Sequence, residues 1–424
     1  MNYKNVNFVK LFWATFMFIK INGEKPHIIL IVADDLGWND IGFHGSKEIS
    51  TPNIDRLATN GVVLDNYYVL PICTPSRSAI MTGRYPIHTG MQQDTIYGPN
   101  PYGVSLNEKF LPQYLKQQGY KTYGVGKWHL GFFAKEYTPT YRGFDSYYGS
   151  YLGKGDYWNH SNTETFSGLD LHDNEKGVFS QDGAYNTEMY TSKAISYISN
   201  HNCSEPLFLY LAFQAVHSSN SEVEPLQAPQ EWIDKFSYIK HEQRRKYAAM
   251  LAYMDYGIGR VHEALIEKKM LDNSVIIFTT DNGGPSNGFN NNWANNFPLR
   301  GVKATLFEGL KNWDGWYPPP SYNESMDESL NSSILKCGHD FPVVINHCDD
   351  YCLFHVVEDP CEIVDLSKKF PDVLATMMYR LNIYKQSMVP PRNNMTIDSR
   401  SDPKLHNGVW QPWEISSNIG CSKI

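Results

Sequence analysis

The chain has no apolar run long enough to cross a membrane, no basic tract and few cysteines, and each shortage removes a class of function. A spanning helix needs about 20 consecutive apolar residues, and the run from Leu11 to Ile19 stops at nine. Lysine and arginine number 37 against 45 aspartates and glutamates, a formal net charge of -8 with no long Lys/Arg run. Nucleic acid therefore finds no electrostatic footprint. Seven cysteines occur, none in a C-x-x-C pair. That argues against reading Cys337, Cys348, Cys352 and Cys361, with His339, His347 and His355, as a zinc knuckle. What is present is bulk: 424 residues that are 42% hydrophobic can bury a large core, and two domains suit the length.

Lys4 and Lys10 precede the apolar run and small residues lie near Gly23, the layout of a cleavable signal peptide over residues 1–23. The mature chain is expected to begin near Glu24. N-x-S/T triplets at Asn159, Asn202, Asn323, Asn331 and Asn394 are glycosylation candidates in an exported chain. Export also makes disulfides the default for the cysteines other than Cys73, with the pairing left open.

Apolar runs at 27–33, 121–125, 207–213 and 274–280 read as strands buried on both faces, each ending in polar or charged residues. Between them, 111–118 and 244–268 have helical spacing, the latter through Tyr247, Met250, Leu251, Met254 and Ile258. Strands alternating with helices predict an α/β fold, a mainly parallel sheet with helices on both faces. Ligands of such sheets sit beyond the carboxyl ends of the strands. That rule gathers Asp34-Asp35, Lys127 and His129, His217, and Asp281-Asn282 into one region. From Trp313 the texture changes, with Pro318 to Pro320 and clustered cysteines. A domain boundary is expected near residue 312, separating a domain at 24–312 from a smaller one at 313–424.

The most informative segment is Cys73-Thr74-Pro75-Ser76-Arg77, followed by Met81-Thr82-Gly83-Arg84. Pro75 suits the first position of a helix with Thr74 as its cap, which leaves Cys73 where free backbone N–H groups favour an anion. Asp34-Asp35 and Asp281-Asn282 offer hard oxygen donors of the kind that Ca²⁺ or Mg²⁺ requires. Lys127, His129, His217 and Lys303 supply cations and acid–base groups around them.

With C-T-P-S-R and the downstream T-G-R, the chain resembles the type I sulfatase family, whose signature reads C-x-P-S-R-x-x-x-x-T-G-R. Its nearest likeness is to the arylsulfatase B (N-acetylgalactosamine-4-sulfatase) group, through Gly126 to Gly131, Arg142-Gly143-Phe144-Asp145, Pro206 to Leu211 and Gly408-Val409-Trp410. The resemblance implies an alkaline-phosphatase-like fold and a sulfuric ester hydrolase of the secretory pathway, lysosomal or extracellular. It implies one calcium ion held by Asp34, Asp35, Asp281, Asn282 and the modified residue 73. It also implies that the formylglycine-generating enzyme converts Cys73 to formylglycine, which is hydrated and attacks sulfur. In that scheme Arg77 holds the hydrated group and Lys127, Lys303 and His217 bind the sulfate. His217 or Lys303 protonates the leaving oxygen, and His129 takes the second hydroxyl's proton. The substrate implied is a sulfated glycan or small sulfate ester, with N-acetylgalactosamine 4-sulfate of a glycosaminoglycan foremost. The opposing reading is a secreted, catalytically inactive relative that binds sulfated glycans. A phosphatase of the same broader fold would want Ser or Thr as nucleophile and a His-rich two-zinc site, and C-T-P-S-R speaks against it.

The resemblance breaks after Gly309. Leu310 leads almost directly to Trp313-Asp314-Gly315-Trp316 and the triple proline, which lie much further on in relatives. An internal block that would cover and edge the sheet is missing, an expected folding liability that spares every catalytic position.

Overall fold

The computed structural model describes residues 24–64, 67–305 and 351–415. The leader at 1–23, Asn323, Asn331, Cys337, Cys348, the break after residue 309 and the boundary near 312 lie outside them. The strands are β1 (His27–Ala33), β2 (Lys121–Gly126), β3 (Ser146–Gly149), β4 (Ser161–Thr163), β5 (Ser167–Leu169), β6 (His172–Asp173), β7 (Lys176–Gly177), β8 (Leu207–Ala212) and β9 (Ser274–Thr280). The α-helices are α1 (Pro52–Thr59), α2 (Cys73–Thr82), α3 (Leu111–Gln117), α4 (Asn186–Ser199), α5 (Gln230–Asp234), α6 (Glu242–Glu267) and α7 (Pro371–Gln386).

Seven strands form one sheet in the order β7-β6-β3-β2-β8-β1-β9, and β4-β5 form a separate antiparallel pair. The run from β3 to β9 is parallel throughout, and only the short β6 and β7 are antiparallel. The four expected strands occupy the centre and one edge, because their runs of Ile, Leu, Val and Phe stay out of water only when covered on both faces. Period-two alternation then divides the core. Ile29 and Ile31 of β1 and Leu209 and Leu211 of β8 pack on one side with Ala194 and Ile198 of α4 and Tyr247, Leu251 and Ile258 of α6. Leu30, Val32, Phe208 and Tyr210 pack on the other, with Met81, Phe110 and Trp128.

Trp410 and Trp413, near the C-terminal end of the described chain, join that second cluster. The Trp410 N–H donates to the Leu169 carbonyl at 2.9 Å, and the Leu169 N–H donates to that of Gly408 at 2.8 Å. Coverage fails at one place. Strand β9 pairs only with β1 among the described residues, and its Val275 and Ile277 are 46% and 43% exposed. They lie in register with Ile28 and Leu30, so among the described residues the second face of the sheet is open along this edge.

Helix α2 differs from its expectation. It starts at Cys73 with Ile72 at the N-cap, and Thr74 caps nothing. The Thr74 hydroxyl instead donates to the His129 carbonyl at 3.0 Å, tying the helix start to the loop after β2. Pro75 is tolerated one turn in because its missing N–H would have no helical partner there. Cys352 and Cys361 are disulfide-bonded, which takes two ligands away from a zinc knuckle, whereas Cys203 is a free, exposed thiol that departs from the all-paired default.

His172 of β6 is wholly buried, stacked on Tyr151 and hydrogen-bonded to the Trp410 carbonyl at 2.7 Å. Burial pushes its pKa down to about 4. The unfolded chain binds a proton near pH 6.5, so stability is full above that pH and falls as acid approaches pH 4. At pH 5 the loss is about 2 kcal/mol. A His172→Gln variant should show a smaller difference in melting temperature between pH 7 and pH 5 than the parent does.

Candidate active site

Every central strand delivers its next residues to one rim. Asp34 and Asp35 follow β1, Lys127 follows β2, His217 lies just beyond β8 and Asp281-Asn282 follow β9. Gly126 is needed at its turn, where φ is 101° and a Cβ would collide with the Ala212 carbonyl. Asp35 and His129 both take left-handed backbone, at φ 60° and 58°. Such non-glycine conformations cost about 1–3 kcal/mol each and persist where surrounding contacts hold them, commonly at functional sites.

Three carboxylates and three cations meet beside Cys73, all with fully or nearly fully buried side chains. Lys127 Nζ lies 2.6 Å from Asp34 Oδ2, and Lys303 Nζ lies 2.8 Å from Asp35 Oδ2. The Arg77 guanidinium holds Asp281 Oδ2 through Nε and Nη2, each at 2.9 Å, and reaches Asp34 at 3.6 Å. The Cys73 thiol lies 3.9 Å from Asp34 Oδ1. A lone buried charge would be prohibitively costly; here each carboxylate has a cation partner.

Electrostatics separates the acids. Burial first, and then the charge of Asp281, pushes Asp34 up to about 8. Burial also raises Asp35, against the pull of Lys303. For Asp281, burial is outweighed by Arg77, then Lys127 and Lys303, which hold it below the usual carboxylate range. Burial and then nearby cations keep both His129 and His217 well below the ordinary imidazole range, so both are neutral. His129 Nε2 contacts the Ile96 carbonyl at 3.1 Å, while its Nδ1 is buried with no hydrogen-bond partner. That leaves Nδ1 as an open lone pair. His217 Nδ1 contacts the Ser218 carbonyl at 2.6 Å, and Lys303 Nζ sits 2.8 Å from His217 Nε2.

The donor set fits a divalent cation. Ligand atoms of Asp34, Asp35, Cys73 and His217 lie within 4.8 Å of one another. Asn282 donates through Nδ2 to Asp35 Oδ1 at 2.6 Å, yet its Oδ1 is buried with no hydrogen-bond partner. An orphaned carbonyl oxygen beside crowded carboxylates is what a hard cation satisfies. His217 is the unexpected member of this cluster, but the Lys303 ammonium already takes its Nε2 lone pair.

The structure thus gathers Cys73, Arg77, Lys127, His129, His217, Lys303, Asp34, Asp35, Asp281 and Asn282. It adds residues that motif reading missed. The Tyr210 hydroxyl lies 3.3 Å from Arg77 Nη1, and Asn292 Nδ2 donates to the Asp35 and Val216 carbonyls, each at 3.0 Å. Tyr210 could have been found from strand alternation, being the polar-tipped residue between Phe208 and Ala212; Asn292 lies in a loop with no periodic signal. Asn159, Asn202 and Asn394 are exposed, remote in role from this rim.

A family model described as Sulfatase matches residues 26–314, more than half of the chain. The chain belongs to the sulfatase family. This sulfatase is 35% identical to mouse arylsulfatase J, with 93% of the chain and 81% of that protein covered. It is 32% identical to human N-acetylgalactosamine-6-sulfatase, covering 68% of this chain but 55% of that one, so it spans little more than half of this relative. The crystal structure of Ps i-CgsB in complex with k-i-k-neocarrahexaose matches with a TM-score of 0.59 and 38% identity, over 66% of this chain and 62% of that one. The alignment to arylsulfatase J runs over 498 positions, more than the 424 residues of the sulfatase, so it carries gaps on this side. Among the described residues no helix is long and apolar enough to cross a membrane.

Proposed function

We propose that the chain is a calcium-dependent sulfuric ester hydrolase acting on a sulfated sugar, with formylglycine made from Cys73 as its nucleophile. The observation that carries this reading is the convergence of buried Arg77, Lys127 and Lys303 with Asp34, Asp35 and Asp281 on residue 73. As a thiol, Cys73 is a poor nucleophile, because burial pushes its pKa up to about 12 despite Lys127 and Lys303 and only the thiolate attacks. The hydrated formylglycine installed there by the formylglycine-generating enzyme during maturation supplies instead two hydroxyls on one carbon, one to attack sulfur and one from which a carbonyl can re-form to expel sulfate. Asp34, Asp35, Asp281 and Asn282 would hold calcium with residue 73, and the ion, when bound, lowers the pKa of a hydroxyl and polarises sulfate oxygen.

The chain's own side chains supply the rest. Lys127 and Lys303, fixed on Asp34 and Asp35, present N–H donors and positive charge to the non-bridging sulfate oxygens. Arg77, locked on Asp281, keeps a positive field at residue 73. Lys303 and His217, 2.8 Å apart, can pass a proton to the leaving alcohol oxygen. Neutral His129, with Nδ1 open, is placed to accept a proton from residue 73.

The likeness to the arylsulfatase B group favours N-acetylgalactosamine 4-sulfate of a glycosaminoglycan such as dermatan or chondroitin sulfate. A relative named N-acetylgalactosamine-6-sulfatase supports the sugar rather than the position of the ester. The secretory pathway, lysosomal or extracellular, is the proposed location. The second reading, an inert relative that binds sulfated glycans, draws on the open edge at Val275 and Ile277. Hydrolysis of a chromogenic aryl sulfate, with tryptic mass spectrometry of the peptide holding residue 73, separates the two. An aldehyde at 73 and turnover that chelator abolishes are expected; an unmodified thiol without turnover would establish the inert reading.

A further inference from the structure

One cation near the site is not used by this mechanism. Lys154 stands between two glycines, each pressed against a neighbour of the reaction centre. A Cβ at Gly153 would come within 2.5 Å of the His129 ring, and the Gly155 carbonyl accepts from Gln214 Nε2 at 2.8 Å, just before His217. The Lys154 ammonium donates to Asn290 Oδ1 at 3.1 Å. Asn290 in turn accepts, through its carbonyl, from the hydroxyl of Ser218 at 3.1 Å, and its neighbour Phe289 places its ring 5.9 Å from Lys303 Nζ. Lys154 therefore lies half-buried at the mouth of the site, one layer outside the sulfate-holding cations.

Its partnering differs from theirs. Lys127 and Lys303 each touch a carboxylate, whereas no ion pair to Lys154 occurs among the described residues and its hydrogen-bond partner is a neutral amide. Glu164, whose charge acts on Lys154, is hydrogen-bonded to the Gly98 N–H instead. Burial, and then the charge of Lys303, holds Lys154 below the ordinary lysine range. A half-buried cation near like charges, with Glu164 and Asp35 acting on it only from beyond ion-pair contact, has room for an anion that the protein does not supply.

Resting on the sulfatase reading above, we propose that Lys154 is a specificity-determining residue that reads a second anionic group, a carboxylate or a further sulfate, next to the scissile sulfate of the glycan. The substrate is then a polyanionic glycan rather than a singly sulfated neutral one. Binding is measured by calorimetry on the full chain carrying Cys73→Ala, so that turnover plays no part. The probes are a singly sulfated neutral oligosaccharide, the same sugar with an adjacent uronate, and the same sugar with a second sulfate. At least one dianionic probe should bind about tenfold or more tightly than the singly charged one, and whichever does so names the group.

Lys154→Gln keeps a donor for Asn290 but no charge and should bring the ratio within about twofold; Lys154→Arg should restore most of it. A ratio that survives Lys154→Gln, or no ratio in the parent, overturns the proposal. Aryl sulfate turnover by the Cys73 protein tests the underlying hydrolase reading separately.

Discussion

A Cys73→Ser chain is expected to turn over at most once and to remain covalently sulfated. Serine occupies the same position at the N-terminus of α2, 1% exposed and facing Asp34, so folding and the cation cluster should survive. Its hydroxyl can attack sulfur with Lys127 and Lys303 in place, because those side chains are held by Asp34 and Asp35 rather than by residue 73. What serine lacks is a second hydroxyl on the same carbon. Without it, the proton that His129 is placed to accept has no source, and no carbonyl can re-form to expel sulfate. Covalent catalysis then stops after its first half. Steady-state turnover should fall roughly a thousandfold or more, and intact-mass spectrometry should show stoichiometric sulfation of the variant. Sustained multiple turnover by the serine chain would refute the assignment of residue 73.

Arg77→Met should unfold the site rather than merely slow it. The guanidinium is fully buried and holds Asp281 twice at 2.9 Å, and it also contacts the Lys127 carbonyl and the Tyr210 hydroxyl, each at 3.3 Å. Its removal leaves three buried carboxylates facing two cations. Breaking one partner out of a buried pair costs about 3–5 kcal/mol, because the other charge stays desolvated. Adding Asp281→Leu to Arg77→Met should recover part of that loss by removing the stranded charge, a non-additive result that a double-mutant cycle measures by denaturation. Calcium should raise the melting temperature of the single variant, since the ion replaces some of the missing positive charge. Equal stability of parent and Arg77→Met would mean that the pair does not hold the rim together.

Much of the architecture was legible because its signals are local. Residues 27–33 and 274–280 form strands with the bounds expected, since their β-branched residues favour extended backbone, although 274–280 is not buried on both faces as 27–33 is. The long helix begins at Glu242 rather than at residue 244, with His241 at its N-cap accepting from the Arg244 N–H. The cap at Thr74 was misread for a physical reason. A threonine before proline has the local chemistry of a cap, but its hydroxyl is taken by a carbonyl 55 residues away. Lys154 carried no motif, and only the contacts of its flanking glycines place it beside His129 and Gln214.

Residue chemistry along the chain thus decided which groups could do the work: paired acids after strands, a cysteine at a helix start, and lysines and histidines where strands end. Spacing and hydrophobic pattern carry such information because backbone preference and burial act over a few residues. Pairing was a tertiary matter. That Lys127 faces Asp34, Lys303 faces Asp35 and His217, and Arg77 faces Asp281 depends on strand order and on side chains separated by up to 268 positions. Charge in a low-dielectric interior is governed by distances of a few ångströms, and those distances exist only once the sheet has brought its strand ends together.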